Sequence, residues 1–183
     1  MRGLLASLPV ELVTPAQVGL NFEVLEDGQT YAENAARKAL AFNRASGLVT
    51  LADDSGLEVD ALNGQPGLRS HRFAPWPDAT DADRRTFLLQ QLLGRPRPWK
   101  AHFHCTIAIV TLDGMVIYAD GDCAGEIIPD ERGTNGFGYD PIFYIADREA
   151  TMAELEPAIK NQISHRARAI IAALPVLHEI VHP

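Results

Sequence analysis

The sequence predicts an α/β fold with a mixed β-sheet. Segments with helical periodicity alternate irregularly with short apolar runs that are typical of strands. One of those runs, AHFHCTIAIVTL at 101–112, passes through Asp113-Gly114 into a second strand, as in a hairpin. The 183 residues are expected to form a single domain, 1–183, whose core needs no covalent staples.

Capping residues predict where two of the helices begin. Thr30, followed three residues later by a glutamate, is typical of a capping box and opens a helix that ends before Gly47. Thr80 begins a second helix. Between and before these helices, VELV at 10–13 and the apolar run LVTLA at 48–52 are predicted as short strands.

Composition and charge exclude several classes of protein. The net charge is −8 and no Lys/Arg-rich run is present, so we expect no binding to a nucleic acid polymer. No stretch approaches the roughly 18 apolar residues of a membrane helix, and the first residues lack the long apolar core of a signal peptide. We therefore expect a cytoplasmic protein that does not bind membranes. Cys105 and Cys123 lie far apart without a CxxC pattern, which predicts buried free thiols.

The segment Asp53-Asp54-Ser55-Gly56 follows the predicted strand at 48–52. Two adjacent carboxylates at a strand end repel each other unless a cation or solvent relieves them. A carboxylate at that place can hold magnesium on a phosphate or orient an attacking water. The alternative interpretation is a solvated turn, since Asp, Ser and Gly are common turn formers.

The segment from Gly136 to Pro141, GFGYDP, places two aromatic residues beside flexible glycines. Phe137 and Tyr139 could hold a base between them, and Asp140 could accept hydrogen bonds from base N–H groups. The alternative is a glycine-rich turn whose aromatic side chains are buried in the core.

The segment Ser164-His165-Arg166 stands where the last helix is predicted to begin, with Lys160 just before it. The N-terminus of a helix attracts anions through its free N–H groups, and the basic residues add donors. These residues are candidates for a phosphate or purine-edge site. A helix cap with solvated basic residues is the alternative. Glu26 and Lys38, in and beside the first helix, would by themselves indicate only a solvated surface.

Together these segments resemble the inosine triphosphate pyrophosphatase (Ham1-like) family. LADDSGLEVDALNGQPGLRSHRFA resembles the family's central block, TYAENAARKA the preceding helix, GTNGFGYDPIF the late glycine-rich loop, and the run from the lysine to ISHR the closing motif. Four motifs in the family's order are more specific than any one of them. The similarity extends from about residue 4 to residue 180.

The resemblance implies an elongated fold with two lobes around a central cleft, a homodimer, and magnesium-dependent hydrolysis of ITP, dITP and XTP to the monophosphate and pyrophosphate. By matching position, Asp54 would be the proton acceptor and, with Glu26, a magnesium ligand. The substrate contacts that the resemblance implies are Lys38, Ser55, Phe137, Gly138, Tyr139, Asp140, Lys160, His165 and Arg166.

The chain departs from the family pattern at its start. Family members usually open with an apolar strand that ends in a Ser/Thr-x-Asn-x-x-Lys phosphate loop, whereas MRGLLASLPVEL aligns inside the helix after that loop. We therefore expect the strand and the loop to be missing and activity to be reduced. Two alternatives stay open: a Maf-like nucleotide pyrophosphatase, which the FGYDP and ISHR motifs argue against, and a nucleotide-binding or dimerisation protein that has lost catalysis.

Overall fold

The computed structural model of the chain describes residues 2–6 and 8–181, and it confirms the α/β class. Its helices are α1 (Tyr31–Ser46), α2 (Asp81–Leu92), α3 (Pro157–Ile163) and α4 (His165–Val181). Its strands are β1 (Thr50–Val59), β2 (Pro66–Gly67), β3 (Trp99–Val110), β4 (Val116–Ile127), β5 (Phe143–Ile145) and β6 (Ala150–Thr151). Within the described residues, no helix is both long and apolar enough to cross a membrane.

The six strands form one sheet in the order β2-β1-β3-β4-β5-β6. The pairs β1–β2, β4–β5 and β5–β6 are antiparallel. The predicted turn at Asp113-Gly114 joins β3 to β4, and the Thr111 N–H donates to the Met115 carbonyl across it at 3.0 Å. Each of the outer strands β2, β5 and β6 has only two or three residues, so β1, β3 and β4 supply most of the sheet.

Two of the strand predictions were wrong. The predicted strand at 48–52 does not end before the paired aspartates, because β1 runs without a break through Asp53-Asp54-Ser55-Gly56 to Val59. The aspartates are therefore inside a strand and not in a turn. VELV at 10–13 is not a strand. Val10 and Val13 are both exposed, so the segment lacks the burial expected of a strand in the core.

The chain divides into two compact units, and the boundary falls within β1, β3 and β4. The first unit contains the residues up to Asp54, the segment Cys105–Gly121, and the residues from His165 on. Its core is formed where one face of α4 packs on β3, and a second group of small residues joins α1 to the end of β3. The core residues are Leu5, Leu8, Cys105, Ile107, Ile109, Ala169, Ile170, Ala173 and Leu177, with Ala35, Ala36, Ala39, Ala108 and Val110 in the second group.

The second unit contains Ser55–His104 and Asp122–Ser164. Its core gathers apolar side chains from α2, from β1, β3, β4 and β5, and from the loop before β5. The largest fully buried among them are Leu57, Leu88, Leu92, Ile127, Ile142, Phe143 and Met152. The cysteines are divided between the cores: Cys105 is buried in the first and Cys123 in the second, and both are free thiols, as predicted.

The predicted helix starts are confirmed by side-chain caps. Thr30 Oγ1 accepts from the Glu33 N–H, and Gly47 ends α1 with a positive φ. Thr80 and Asp83 cap each other's backbone at the start of α2. These local hydrogen bonds fix where α1 and α2 begin, and therefore which side chains their first turns present.

The start of α4 is held very close to β4 by a glycine. A Cβ atom on Gly121 would overlap with the backbone of Ala169 and with the carbonyl oxygen of His165. Any residue larger than glycine at this position would push the first turns of α4 away from the strand. Gly121 thus positions the helix that carries Arg166.

Candidate functional site

Four side chains of the first unit form what we call the carboxylate cluster: Glu26, Asn34, Lys38 and Asp54. Lys38 Nζ donates to Glu26 Oε2 at 3.0 Å and to Asp54 Oδ1 at 3.3 Å. Asn34 Nδ2 donates to the other oxygen of Asp54 at 3.0 Å. Asn34 and Lys38 are four residues apart on α1 and therefore share a helix face. Both oxygens of Asp54 are thus held by one helix.

The amide group of Asn34 is fixed by the loop before α1. The Gly28 N–H donates to Asn34 Oδ1 at 2.8 Å, and a Cβ atom at Gly28 would lie only 2.7 Å from that oxygen. Because Oδ1 accepts from Gly28, the NH₂ group must face Asp54. Sequence analysis missed Asn34. The available signal was a polar residue one helical turn before Lys38, on the face that meets the paired aspartates.

The surroundings of Asp54 in the carboxylate cluster favour its protonated form more than an exposed position in water would. Burial raises the pKa of the Asp54 carboxyl above its ordinary value, and the Lys38 ammonium and the Asn34 amide only partly offset this. Contact with the second carboxylate, Glu26, raises the pKa of Asp54 further. A carboxyl group with a raised pKa is better suited to taking a proton near neutral pH than an exposed one.

Asp53 precedes Asp54 on β1 and has different partners. Arg166 Nε donates to Asp53 Oδ2 at 2.7 Å, and the Cys105 thiol lies 4.0 Å from the same oxygen. Arg166 is the second residue of α4. The repulsion expected between the adjacent carboxylates is therefore relieved by two separate cations, Lys38 for Asp54 and Arg166 for Asp53.

In the second unit, the glycine-rich loop 136–140 is organised around the buried carboxylate of Asp140. Asp140 is 3% exposed, and its Oδ2 accepts from the Phe137 N–H at 2.8 Å and from Lys160 Nζ at 2.5 Å. Gly136 has a φ of +83°, and a Cβ atom there would overlap with the Asp140 carboxylate. The same lysine ammonium lies 5.4 Å from the centroid of the Phe137 ring. The buried ion pair of Asp140 with Lys160 of α3 therefore stabilises the conformation of the loop.

The two aromatic residues of the loop have different environments. Tyr139 is buried in the core of the second unit and its hydroxyl donates to the Ser70 carbonyl at 2.8 Å. Burial raises the pKa of the Tyr139 hydroxyl far above its ordinary value. Phe137, by contrast, is 59% exposed. Tyr139 thus anchors the loop, whereas Phe137 presents an exposed aromatic side chain, a group on which a planar ring can stack.

Both backbone polar groups of Gly138 bond to side chains of α2. Asp81 Oδ2 accepts from the Gly138 N–H at 2.7 Å, and Arg85 Nη1 donates to the Gly138 carbonyl at 2.9 Å. Partial burial opposes ionisation of Asp81, but the Gly138 N–H and the Arg84 guanidinium hold the pKa of Asp81 below its ordinary value. Sequence analysis did not single out Asp81 or Arg85.

The predicted site residues fall into two groups, one in each unit. Ser55 follows Asp54 directly on β1. His165 is the first residue of α4 and is buried, and Ser164 precedes it, so the last helix begins where it was predicted to begin. The first unit holds Glu26, Lys38, Asp54, His165 and Arg166, and the second holds Ser55, Phe137, Gly138, Tyr139, Asp140 and Lys160.

The carboxylate cluster fits a magnesium ion. Magnesium takes oxygen ligands and is usually bound by one or two carboxylates together with substrate phosphates. Glu26 and Asp54 converge on a single cationic group, the Lys38 ammonium, and are close enough for one to raise the pKa of the other. No group of three or more His, Cys, Asp or Glu side chains suitable for a metal is found in the part of the chain that the structure describes.

The chain is similar to known proteins of one family. The model of the Ham1 family matches residues 1–176. The chain belongs to the Ham1 family. A HAM1 protein of Coxiella burnetii has a similar structure, with a TM-score of 0.89 and 40% sequence identity, over 97% of this chain and 91% of that one. The Ham1 protein of Staphylococcus aureus is also similar, with a TM-score of 0.86, 37% identity and the same coverage.

Curated relatives within the family carry an enzyme name. The dITP/XTP pyrophosphatase of Desulforamulus reducens is 46% identical over 159 residues, which are 86% of this chain and 79% of the relative. The protein of the same name from a Nostoc species is 46% identical over 154 residues, or 84% and 76% of the two chains. The lack of an opening strand and phosphate loop, expected from sequence, stays a prediction.

Proposed function

We propose that this protein hydrolyses deaminated purine nucleoside triphosphates, namely ITP, dITP and XTP, to the monophosphate and pyrophosphate with magnesium, and so removes them from the nucleotide pool. The observation that carries the proposal is the carboxylate cluster. There Asp54, with a raised pKa, is oriented through both oxygens beside a lysine and a second carboxylate. Family membership and the name dITP/XTP pyrophosphatase of the curated relatives support the same reaction.

Hydrolysis of a triphosphate needs an activated water and cations that take the developing charge. Asp54 would accept the proton of the attacking water, and Asp54 and Glu26 would hold the magnesium. A bound magnesium would polarise the phosphate oxygens and neutralise part of their charge. Lys38 and Ser55 would donate to the phosphates. The contacts of Lys38 with both carboxylates keep its ammonium in the cluster before substrate arrives.

Selection of the base would come from the glycine-rich loop and from the start of α4. Phe137, whose side chain is exposed, would stack on the purine. Gly138, Tyr139 and Asp140 of the loop and the basic residues His165 and Arg166 would line the polar edge of the base. Lys160 of α3 would contact the triphosphate. A site that hydrogen-bonds a substrate group rejects analogues that leave its polar atoms unpaired. Such a site would prefer purines with a 6-oxo group and no 2-amino group over adenine and guanine.

The decisive experiment measures the products formed from ITP, dITP, XTP, GTP and ATP, with magnesium and with EDTA. We expect inosine and xanthosine triphosphates to give monophosphate and pyrophosphate, and magnesium to restore the activity that EDTA removes. Release of inorganic phosphate with a diphosphate product would contradict the proposal. ITP binding without turnover would identify a nucleotide-binding protein that has lost catalysis.

We also propose a homodimer, which the family resemblance implies. Sedimentation equilibrium over a hundred-fold range of protein concentration tests this assignment. A mass near twice 20.0 kDa is expected, and a mass of one chain throughout the range would contradict it.

A further inference from the structure

The contacts between α2 and the glycine-rich loop are unusual because they act on the main chain of a single residue. Gly138 lies 57 residues after Asp81 and 53 after Arg85, and both of its backbone polar groups bond to these side chains. Its φ of +60° is in the left-handed region, which glycine adopts most easily. Within the loop, Asp140 bonds to the main chain of Phe137: its Oδ2 accepts from the Phe137 N–H, and its own N–H donates to the Phe137 carbonyl at 3.2 Å.

We propose that Asp81 and Arg85 are positioning residues for base recognition, because they fix the Gly138 backbone and thereby the orientation of the exposed Phe137 ring. The inference rests on the proposed function, in which that ring stacks on the purine. Neither side chain need touch the substrate. Each would act through the loop, by removing the freedom of the one glycine between the stacking ring and its buried neighbour Tyr139.

Both side chains are themselves held in place. Arg85 Nε and Nη2 donate to the two oxygens of Glu131, each at 2.9 Å, so the guanidinium plane is fixed while Nη1 reaches the Gly138 carbonyl. The second oxygen of Asp81 bonds to the Arg84 guanidinium. Arg84 is buried and also donates to the carbonyls of His71 and Ala79. A carboxylate and a guanidinium that already have fixed partners lose little freedom when they bind Gly138.

The position of the pair on α2 is set by the sequence. Asp81 is the first residue of α2 and Arg85 lies one turn later, so both project from one helix face. The capping box of Thr80 and Asp83 stabilises the start of the helix. Asp83 contacts Thr80 and offers a matched control, since its loss weakens the helix start without removing a bond to Gly138.

The test compares Asp81→Ala, Arg85→Ala and Asp83→Ala with the parent chain, and includes Asp81→Asn, which keeps the shape of the side chain, in case Asp81→Ala does not fold. Two ligand measurements are made: kcat/KM for ITP and GTP, and calorimetric affinities for IMP and for pyrophosphate. A third, hydrogen exchange of the Phe137–Tyr139 amides, needs no ligand.

Loss of a hydrogen bond to a charged group should weaken IMP binding by about ten-fold. We expect this weakening of about ten-fold in Asp81→Ala and in Arg85→Ala, and a smaller one in Asp81→Asn. The same variants should show a lower ratio of kcat/KM for ITP to kcat/KM for GTP, and faster hydrogen exchange of the loop amides. Pyrophosphate affinity should stay within about two-fold of the parent, a change worth only ~0.4 kcal/mol. Asp83→Ala should lower the melting temperature but leave the IMP affinity and the ITP/GTP ratio at the parent values.

The inference is overturned if the Asp81 and Arg85 variants match Asp83→Ala in IMP affinity and in the ITP/GTP ratio while the parent hydrolyses ITP; the proposed function then stands without it. Equal losses of IMP and pyrophosphate affinity would also overturn it, because they indicate general loosening. If the parent neither binds IMP nor hydrolyses ITP, the proposed function fails and the role in base recognition fails with it. Hydrogen exchange still decides whether α2 orders the loop.

Discussion

Asp53 and Asp54 are adjacent on β1, yet their carboxylates bond to different helices. Successive side chains of a strand point to opposite faces of the sheet, and the contacts follow that rule. Asp53 pairs with Arg166 at the start of α4, and Asp54 bonds to Asn34 and Lys38 of α1. The same dipeptide therefore anchors the start of one helix and supplies the proposed general base, and four predictions follow from its neighbourhood and from the loop.

Asp54→Asn is expected to reduce turnover by about 10²–10⁴-fold, since a general base is lost, without lowering the melting temperature measured in EDTA. Burial raises the pKa of Asp54 in the folded chain above the unfolded value of 3.8. The charged form therefore costs stability once the pH exceeds the folded pKa, and this cost is absent below the unfolded pKa. The variant should gain stability at pH 7 and gain none near pH 3.

Asp60→Asn is the matched control for that experiment, because Asp60 is an exposed aspartate just after β1. It should leave turnover at the parent value. A turnover of Asp54→Asn above about one third of the parent rate, far outside the loss expected of a general base, would remove Asp54 from the proposed role.

Asn34→Ala should lose turnover beyond what its loss of stability explains. The substitution removes the Gly28 and Asp54 hydrogen bonds of a buried amide and leaves those partners short of a bond, at a cost of about 1–3 kcal/mol. Asn43 provides a control on the same helix, since its buried amide donates to the Leu48 and Thr111 carbonyls instead. Urea denaturation and kcat are measured for both variants.

Asn43→Ala should lose stability to a similar extent but keep its kcat at temperatures where it is folded. If both variants lose kcat in proportion to stability, the amide of Asn34 has only a structural role and does not orient Asp54.

Lys160→Met should destabilise the second unit. Removal of the ammonium leaves the buried Asp140 carboxylate with the Phe137 N–H as its remaining bond among those described above, and breaking a buried ion pair from one side costs about 3 kcal/mol. Lys100→Met is the control, because Lys100 is exposed on β3. The free energy of unfolding in urea measures the difference between the two variants.

The double variant Lys160→Met/Asp140→Asn should recover part of the stability lost in Lys160→Met, since it removes the unpaired charge. Equal unfolding free energies for Lys160→Met and Lys100→Met would show that the ion pair contributes nothing to the loop.

Arg166→Ala should narrow the preference for ITP over GTP, because it removes a donor proposed for the polar edge of the base. Asp53→Ala should shift the preference in the same direction but by less, since Arg166 remains and loses only its anchor. The stability change should be about 1 kcal/mol or less, as the ion pair is partly exposed. The kcat/KM ratio of ITP to GTP is measured, with the exposed Arg168→Ala as a control.

An unchanged ratio in Arg166→Ala would place that guanidinium outside the base site. A shift in Asp53→Ala that is larger than the one in Arg166→Ala would indicate that Asp53 acts on the substrate by another route.

The elements that sequence predicted correctly are those with local signals. Thr30, Thr80 and Gly47 mark helix ends through hydrogen bonds to residues a few positions away, and the start of α4 at His165 followed from the same reasoning. The strand at 48–52 was ended too early because Asp, Ser and Gly are common in turns. In the structure, the carboxylate of Asp53 is paired with Arg166, which lies 113 residues later in the chain. A contact over that distance gives no local signal that the strand continues.

The contacts that sequence missed join side chains to distant backbone atoms. Asp81 is in the first turn of α2, where an acidic residue has a sufficient local explanation in the helix dipole. Its bond to the Gly138 N–H depends on a loop 57 residues away that has no periodic signal. Asn34 was missed for a related reason: a single buried polar residue on a helix is recognisable only when its partner, here Asp54, is known.

The close approach of α4 to β4 at Gly121 makes the position of Arg166 insensitive to substitutions of core side chains. Where two main chains touch directly, the spacing between them is set by backbone atoms that substitutions elsewhere cannot change in size. Exchanges among Ile170, Ala173 and Leu177 can tilt the far end of α4, but the first turn pivots about its contact with the strand. The core of the first unit can therefore vary over generations, while position 121 itself tolerates almost no change.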